Sequence, residues 1–435
     1  MMNAEFMQEL LNILTRIDIT LKIMVCKMLT GMMADDSGKD LFTLKGGERV
    51  LSDNLSIDHI GLRTALCTLI SASVSEEGAD VYLELGTIPY MVENRQARYM
   101  VAAWEPALEA IFRQHPSAKL AYTGRLDIND FISEGFYCTK RLGKRFQTIN
   151  EILSQPKYQW SPVLMCRFHQ PWDDSPELDI RTPYDPPQLR LSDMKQDPHL
   201  PDDHNLRNYL LKLKLWFGDP TKSLYYIEIE DAHYEVRYRD KCEEVATSLK
   251  QKAKLLAEFV AEQMSGIMQE KDCSMPSVEL HLADLMTELN SPIIGLGWVK
   301  AGGPLERALL YKALADRVGL PCSLHRRTSA YAWCEIAVPE IDPEDPEEEV
   351  ETQKYPAGLL RANYVVDLVV RPGRLVHLNS MEARLICGPT CAPPYTAGSK
   401  PEVCICSNPP SPVSNDSKTT RDTLLKTITG ASLSI

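Results

Sequence analysis

The sequence predicts a multidomain protein: an all-α region of helical repeats followed by an α+β domain. Three observations carry this prediction. The chain has 435 residues, and a single hydrophobic core stops growing at roughly 250 to 300 residues, so two or three units are expected. Near the front, residues 21–51 can be laid over residues 62–92, with Cys26 falling on Cys67 at a distance of 41 and Gly46 on Gly86 at 40. Near the back, one amphipathic helix is followed by three short strand-like runs.

Hydrophobic residues make up 44% and charged residues 25%, the composition of a globular chain with enough apolar surface for real cores. The net charge of −13 is the wrong sign for a partner that is a phosphate backbone, so no nucleic-acid partner is expected. Glu5, Glu9, Arg16 and Asp18 interrupt the first apolar runs, which therefore do not read as a signal peptide. No run of about 18 apolar residues follows. The chain is expected to be cytoplasmic, with no membrane partner. Its 12 cysteines lie singly in apolar surroundings and form no disulfide framework, as suits a reducing compartment.

The front overlay joins an apolar helix, an acidic turn ("ADDSGK", "SVSEEGA") and a second helix broken by glycine before a third. This spacing fits the period of roughly 40 to 47 residues of armadillo and HEAT arrays. "LGTIPYMV" at 85–92 resembles the start of the third, inner-lining armadillo helix, with a glycine for the sharp turn and a proline in the first helical turn. A partial third copy runs through 101–114, so armadillo-type helical repeats are assigned to 1–118. "FMQELLNILTRI" reads as an interior helix and not a polar cap, so a truncated array is expected. Such a surface binds other proteins along a concave groove.

Residues 119–169, with Gly124 and Gly135 as turns and a short helix in "RFQTINEILSQP", read as an irregular capping or junction segment. Residues 170–205 contain seven prolines and many aspartates, too little apolar surface to offset ordering entropy, and read as a linker. His199 and His204 beside Asp202 and Asp203 suggest a metal site on composition alone. A flexible acidic loop fixes no ligand geometry, so no metal is assigned.

The last domain is assigned to 206–386. After a mixed patch ending in "LKLKLWF", apolar residues at 245, 249, 256, 260 and 264 mark a long amphipathic helix, and "SVELHLADLMTEL" a shorter one. In "PLERALLYKALADRVGLPCSL", Pro304 suits a first helical turn, Leu305, Ala308, Leu309, Ala313, Leu314 and Val318 make an apolar face, and Gly319 ends the helix. Strand candidates follow at 322–326, 330–338 and 363–370. One helix across an antiparallel sheet is the economical arrangement.

Helix, "GLP", a strand with "AW-E" and a strand with a central aspartate resemble the transglutaminase-like, or papain-like, peptidase core. That resemblance implies a cysteine at the helix N-terminus, where the macrodipole favours a thiolate, and a histidine and an aspartate on the next strands. The matching positions hold Pro304, Tyr331 and Asp367. Proline has no nucleophile, and a phenol of pKa about 10 cannot be the neutral-pH base. Cys322 lies past the helix C-terminus, and Cys334 alternates away from Trp333 and Glu335; both read as buried inert thiols. His325 and His377 read as packing or surface residues.

"ADLMTELNSPIIGLGWVKAGGPLERALLYKALADRVGLPCSL", "AWCE", "YVVDLVVRPGRLVHL" and the upstream "AKLAYTGRLDINDFISEGFYCTKR" closely resemble the armadillo repeat-containing protein 3 family. The resemblance implies an armadillo surface joined to a catalytically inactive transglutaminase-like domain, acting in cilia or sperm flagella and bound to ciliary or flagellar proteins. No glycine-rich loop or kinase signature accompanies it. Residues 339–356 read as a solvated acidic insertion, and 387–435 as a disordered tail. Cys387, Cys391, Cys404 and Cys406 lack paired Cys-x2-Cys knuckles, so no zinc or other cofactor is assigned. The expected function is a non-enzymatic scaffold. The competing reading is a cysteine hydrolase or acyltransferase with its nucleophile moved to Cys322 or Cys334.

Overall fold

Two stretches of 14 residues, each with apolar side chains on more than one face, form helices α2 (Ile19–Met32) and α5 (Ile60–Ser73). In the computed structural model, which describes residues 4–94, 101–132, 135–140, 146–167, 203–217, 233–236, 239–266, 276–328, 330–338, 353–356 and 362–388, they pack side by side. Helix α1 (Ala4–Leu14) precedes α2; α3 (Asp36–Leu44) and α4 (Gly47–Leu55) follow it; α6 (Glu76–Glu84) and α7 (Thr87–Glu93) follow α5. The second copy reproduces the first. Asp18 caps α2 by accepting from the Leu21 amide, and His59 caps α5 by accepting from the Leu62 amide. Gly46 and Gly86 turn the chain at φ 73° and 74°, a conformation that costs a side-chain-bearing residue free energy. Cys26 and Cys67 are both fully buried in the same core.

The stretch after Gly86, read from the sequence as the start of the third, inner-lining helix, forms α7, which has seven residues. The helices that lie against one another from copy to copy are α2, α5 and α8 (Trp104–Gln114). Length and a wide apolar face decide this, because a ladder helix must pack against two neighbouring copies as well as its own short helices.

Helix α9 (Pro116–Thr123) leads into β1 (Arg125–Leu126), β2 (Tyr137–Thr139), α10 (Ile149–Leu153) and β3 (Val163–Met165). The remaining elements are α11 (His204–Phe217), β4 (His233–Val236), α12 (Arg239–Gln263), α13 (Pro276–Glu288), β5 (Ile293–Gly295), α14 (Pro304–Arg317), β6 (Cys322–Arg326), β7 (Ala332–Ile336), β8 (Gln353–Pro356), β9 (Tyr364–Val366), β10 (Leu375–His377) and α15 (Met381–Cys387). Strands β1-β6-β7-β9-β10 form one antiparallel sheet. Helix α14 packs on its β6–β7 face and α15 on the other. Strand β4 pairs with β8.

The junction is structural, and its role was not legible in the sequence. Strand β1 adds an edge to the back domain's sheet by pairing Arg125 with His325 and Leu126 with Leu324. Strands β2, β3 and β5 form a separate sheet whose alternate residues serve two cores. Tyr137, Val163, Met165 and Ile293 lie in the core of the repeats, while Phe136, Cys138, Leu164 and Ile294 lie in the core around α14. Period-two alternation thus presses one face of the sheet against each module. The repeats and the back domain share a buried partition and not a loose tether.

Several boundaries differ from expectation. Residues 206–217, read as a mixed patch, are helical, because Leu206, Tyr209, Leu210 and Leu213 recur at helical spacing and are all buried. Residues 168–202 of the expected linker lie outside the described residues, His199 and Asp202 among them. Asp203, expected in a loose acidic loop, is fully buried: Oδ1 accepts from the Leu206 amide to cap α11 and Oδ2 accepts from the Gly297 amide at 2.8 Å. His204 therefore opens a helix. The last residues of the acidic insertion form β8, and 339–352 lie outside the described residues. Cys387 is buried at the end of α15, while Cys391, Cys404 and Cys406 fall outside the description.

Candidate functional site

The N-terminus of α14 is where a papain-like core would place its nucleophile. Here the Gly303 amide donates to Glu306 Oε2 at 2.9 Å, and Pro304 occupies the first helical position, where a missing N–H costs nothing. No hydroxyl or thiol stands in that turn. Every residue from Gly302 to Asp316 is buried, so the helix is covered on all sides and not only along the apolar face read from the sequence. A Cβ on Gly302 would overlap the Met264 sulfur, so Met264 packs directly against the chain entering the helix. Glu306 Oε1 lies 3.2 Å from Lys140 Nζ of the junction. The buried Arg307 guanidinium donates to four carbonyls, those of Gly302, Leu368, Met264 and Gly266.

The other two triad positions lie near this end of the sheet. Strands β7 and β9 pair Cys334 with Val366, and continuing that register sets Asp367 across from Trp333, two residues from Tyr331. Tyr331 is 37% exposed and its ring packs on Gly388. Asp367 Oδ1 accepts from the amides of Val369 and Val370, and Oδ2 from that of Arg371, at 2.9 to 3.0 Å. Its carboxylate shapes the loop after β9 instead of orienting a base. At the positions that the resemblance singled out, Pro304 and Tyr331 supply neither a thiol nor an imidazole.

Cys334 and Trp333 lie on opposite faces of β7, as their alternation implied. Cys322 and Cys334 face α14, and the Cys334 thiol donates to the Ala308 carbonyl at 3.3 Å. Burial, then its hydrogen bond with Cys322, pushes the Cys334 thiol well above its ordinary value. His325 points to the opposite face, where Nε2 lies 3.0 Å from Ser323 Oγ and 3.2 Å from Glu335 Oε2, and its ring stacks on Trp333 at 5.3 Å. His377 is exposed on the outermost strand, about 10 Å or two strand spacings from β7. Neither thiol therefore shares a site with a histidine. The Ser323, His325, Trp333 and Glu335 cluster was missed in the sequence, although "S-x-H" opposite "W-x-E" on paired strands signals it. Ser323 is 2% exposed, beyond reach of a substrate.

Glu109, Asp127 and Asp130 come within 4.8 Å of one another, a spacing able to hold a metal ion. The Lys119 ammonium already occupies their centre, paired with Glu109, with Asp130 at 2.7 Å and with Asp127 at 3.3 Å. Burial pulls the Lys119 ammonium down, and the three carboxylates override it, so its net shift is upward. The residues supply a cation of their own.

A cavity of about 230 Å³ opens between α6, the start of α9, the lead into β2 and α10, with Glu76, Asp80 and Glu84 along one wall. His115 caps α9 from its floor by accepting from the Ala118 amide, and Nε2 lies 3.4 Å from Asp80 Oδ1. Burial lowers the His115 imidazole to about 4. An unfolded histidine binds its proton near pH 6.5, so between pH 6.5 and 4 the unfolded chain carries a proton that the native chain lacks. This contribution is fully present above pH 6.5 and is lost as pH falls to 4. The His115→Asn variant, which keeps a capping oxygen, is expected to lose less stability on acidification. The difference in unfolding free energy should grow by up to about 1.4 kcal/mol per pH unit across that window, as measured by urea titrations.

Part of the chain is similar to known proteins. Residues 228–376 match the family model described as EDR1/CTR1/ARMC3, peptidase-like, and the chain carries that domain behind its helical repeats. Over 170 residues it is 36% identical to Armadillo repeat-containing protein 3 of Homo sapiens and is homologous to it there; the aligned stretch is 39% of this chain. The chain spans 17% of that relative's length. No solved structure matches it. Among the described residues, no helix is long and apolar enough to cross a membrane.

Proposed function

We propose that the protein is a non-enzymatic interaction scaffold, in which armadillo-type repeats and a catalytically inactive peptidase-like domain present one continuous binding body. The observation that carries this reading is the buried first turn of α14, with Pro304 in the nucleophile's place and Met264 packed against Gly302. A hydrolase needs a reactive group open to substrate, and a scaffold needs only shape. The relocated-nucleophile alternative draws no support from β6 and β7, where Cys322 and Cys334 lie on one face and His325 on the other. In this proposal the partners are proteins of cilia or sperm flagella, as the sequence resemblance implies, and the chain works in the cytoplasm.

The test uses the full chain, because the partition sheet would expose one apolar face if either module were expressed alone. Immobilised protein is offered an extract of ciliated cells. The scaffold reading expects retained proteins that are lost when Thr64→Arg and Thr68→Arg alter the exposed face of α5, and kept after thiol alkylation. An empty bait, or retention abolished by alkylation, contradicts it.

A further inference from the structure

We propose that the free edge of β10 binds an extended, acidic segment of a partner protein, which joins the five-stranded sheet as a further strand. Backbone pairing identifies the edge. Strand β10 lies outermost and meets β9 with Leu375 opposite Val366, Val376 opposite Val365 and His377 opposite Tyr364. The Asp367 amide donates to the Arg374 carbonyl and the Leu378 amide to the Asn363 carbonyl, both at 2.9 Å. Antiparallel pairing alternates, so Arg374, Val376 and Leu378 turn their backbone groups towards β9, while Leu375 and His377 turn theirs outward. The Ser380 amide donates to the His377 carbonyl. The Leu375 N–H and C=O and the His377 N–H are left without a partner among the described residues. They form a short template for an added strand.

Charge identifies the occupant. On a chain of net charge −13, cations gather at this edge. Arg371 and Arg374 stand exposed in the turn before β10, and His377 is exposed on the strand. From α12, Lys250 Nζ lies 4.9 Å from the Tyr364 ring, which meets the His377 ring at 5.5 Å, and Lys254 packs against Gly373 of that turn. Three carboxylates face this group. Glu382 pairs with Arg374, Glu258 lies 3.9 Å from Lys254, and Asp367 accepts from three amides of the turn. Lys250 and Arg371 have no carboxylate partner among the described residues. A second copy would bring the same cations to β10 and be repelled, as like charges are across paired strands. An acidic strand is attracted instead, with every second side chain on the α12 side of the sheet. Backbone pairing supplies hydrogen bonds indifferent to sequence, and the cations select carboxylates. This surface uses neither the first turn of α14 nor α5, so the inference goes beyond the scaffold reading and stands or falls apart from it.

Peptide binding to the full chain tests it, with a peptide of alternating glutamate and valine, about eight residues long, as the probe. Fluorescence anisotropy should show saturable one-to-one binding, and hydrogen exchange at the Leu375 and His377 amides should slow when the peptide is added. A lysine–valine peptide of the same length should bind weaker by about tenfold or more. His377→Pro removes one outward N–H and leaves the β9 ladder in place, while Lys250→Glu with Arg371→Glu reverses the two unpaired charges. Each change should weaken binding of the glutamate peptide by about tenfold or more. Absence of binding overturns the proposal, as does equal binding of the lysine peptide, or binding that leaves the two amides unprotected. Protection already present without peptide, and lost when the acidic residues of 339–352 are replaced by their amides, also overturns it, since the edge would then belong to this chain's own insertion.

Discussion

Replacing Arg307 by methionine is expected to unfold the back domain at temperatures where the parent is intact. The guanidinium is fully buried and its donors hold four carbonyls, two of them at the end of α12, one before α14 and one after β9. A thioether fills the volume but leaves those carbonyls without donors, at roughly 1 to 3 kcal/mol for each buried group that water cannot reach. Relaxation recovers part of this, and a net loss of about 4 kcal/mol is expected in a denaturant titration. Arg307→Lys should rescue little, because an ammonium has three donors from one point and cannot span the fork. A loss below about 1 kcal/mol in Arg307→Met would show that the carbonyls have other partners.

The second large effect is at Lys119. Its ammonium is 1% exposed and joins Glu109 of the repeats to Asp127 and Asp130 of the junction. Removing one partner of a buried ionic cluster strands the rest, typically at 3 to 5 kcal/mol, so Lys119→Met should destabilise by about that amount near neutral pH. The stranded carboxylates would hold protons more tightly folded than unfolded. The native variant then binds more protons, and its deficit should shrink as pH is lowered towards 4. Because the cluster lies beside the shared sheet, hydrogen exchange should quicken on both sides of it, in α8 and in β6 together. Acceleration confined to the repeats would argue that the two cores are uncoupled.

What the sequence made legible depended on period and local chemistry. The repeat of about 40 residues located both turning glycines, 40 apart, and both buried repeat cysteines, 41 apart, because helix packing imposes the same side-chain pattern on each copy. Alternation assigned Cys334 to the face of its strand opposite Trp333, and the "GLP" stop and the "AW-E" run placed the helix and strands that carry Pro304, Tyr331 and Asp367. The strands inside the junction segment were not legible. Strands of two or three residues such as β1 and β2 leave no periodic signal, and their pairing with β6 and β3 joins residues far apart in sequence. The internal charges Glu306, Arg307, Lys312 and Asp316 were hidden for a related reason: on a helix read as half-exposed they pass for its wet face, and only the surrounding elements show that the helix has none. Asp203 was taken for linker because its neighbours are acidic and proline-rich, while its actual partner, the Gly297 amide, lies 94 residues away.

The central claim is that the peptidase-like core binds without catalysing, and thiol labelling of the native full chain tests it most directly. A thiol-directed electrophile presented on a peptide is mixed with folded protein, and modified residues are located by mass spectrometry. The account predicts no stoichiometric labelling of Cys322 or Cys334, in the parent or in a folded Asp367→Asn variant. One-to-one labelling of either cysteine in the native parent, lost with Asp367→Asn, would contradict it.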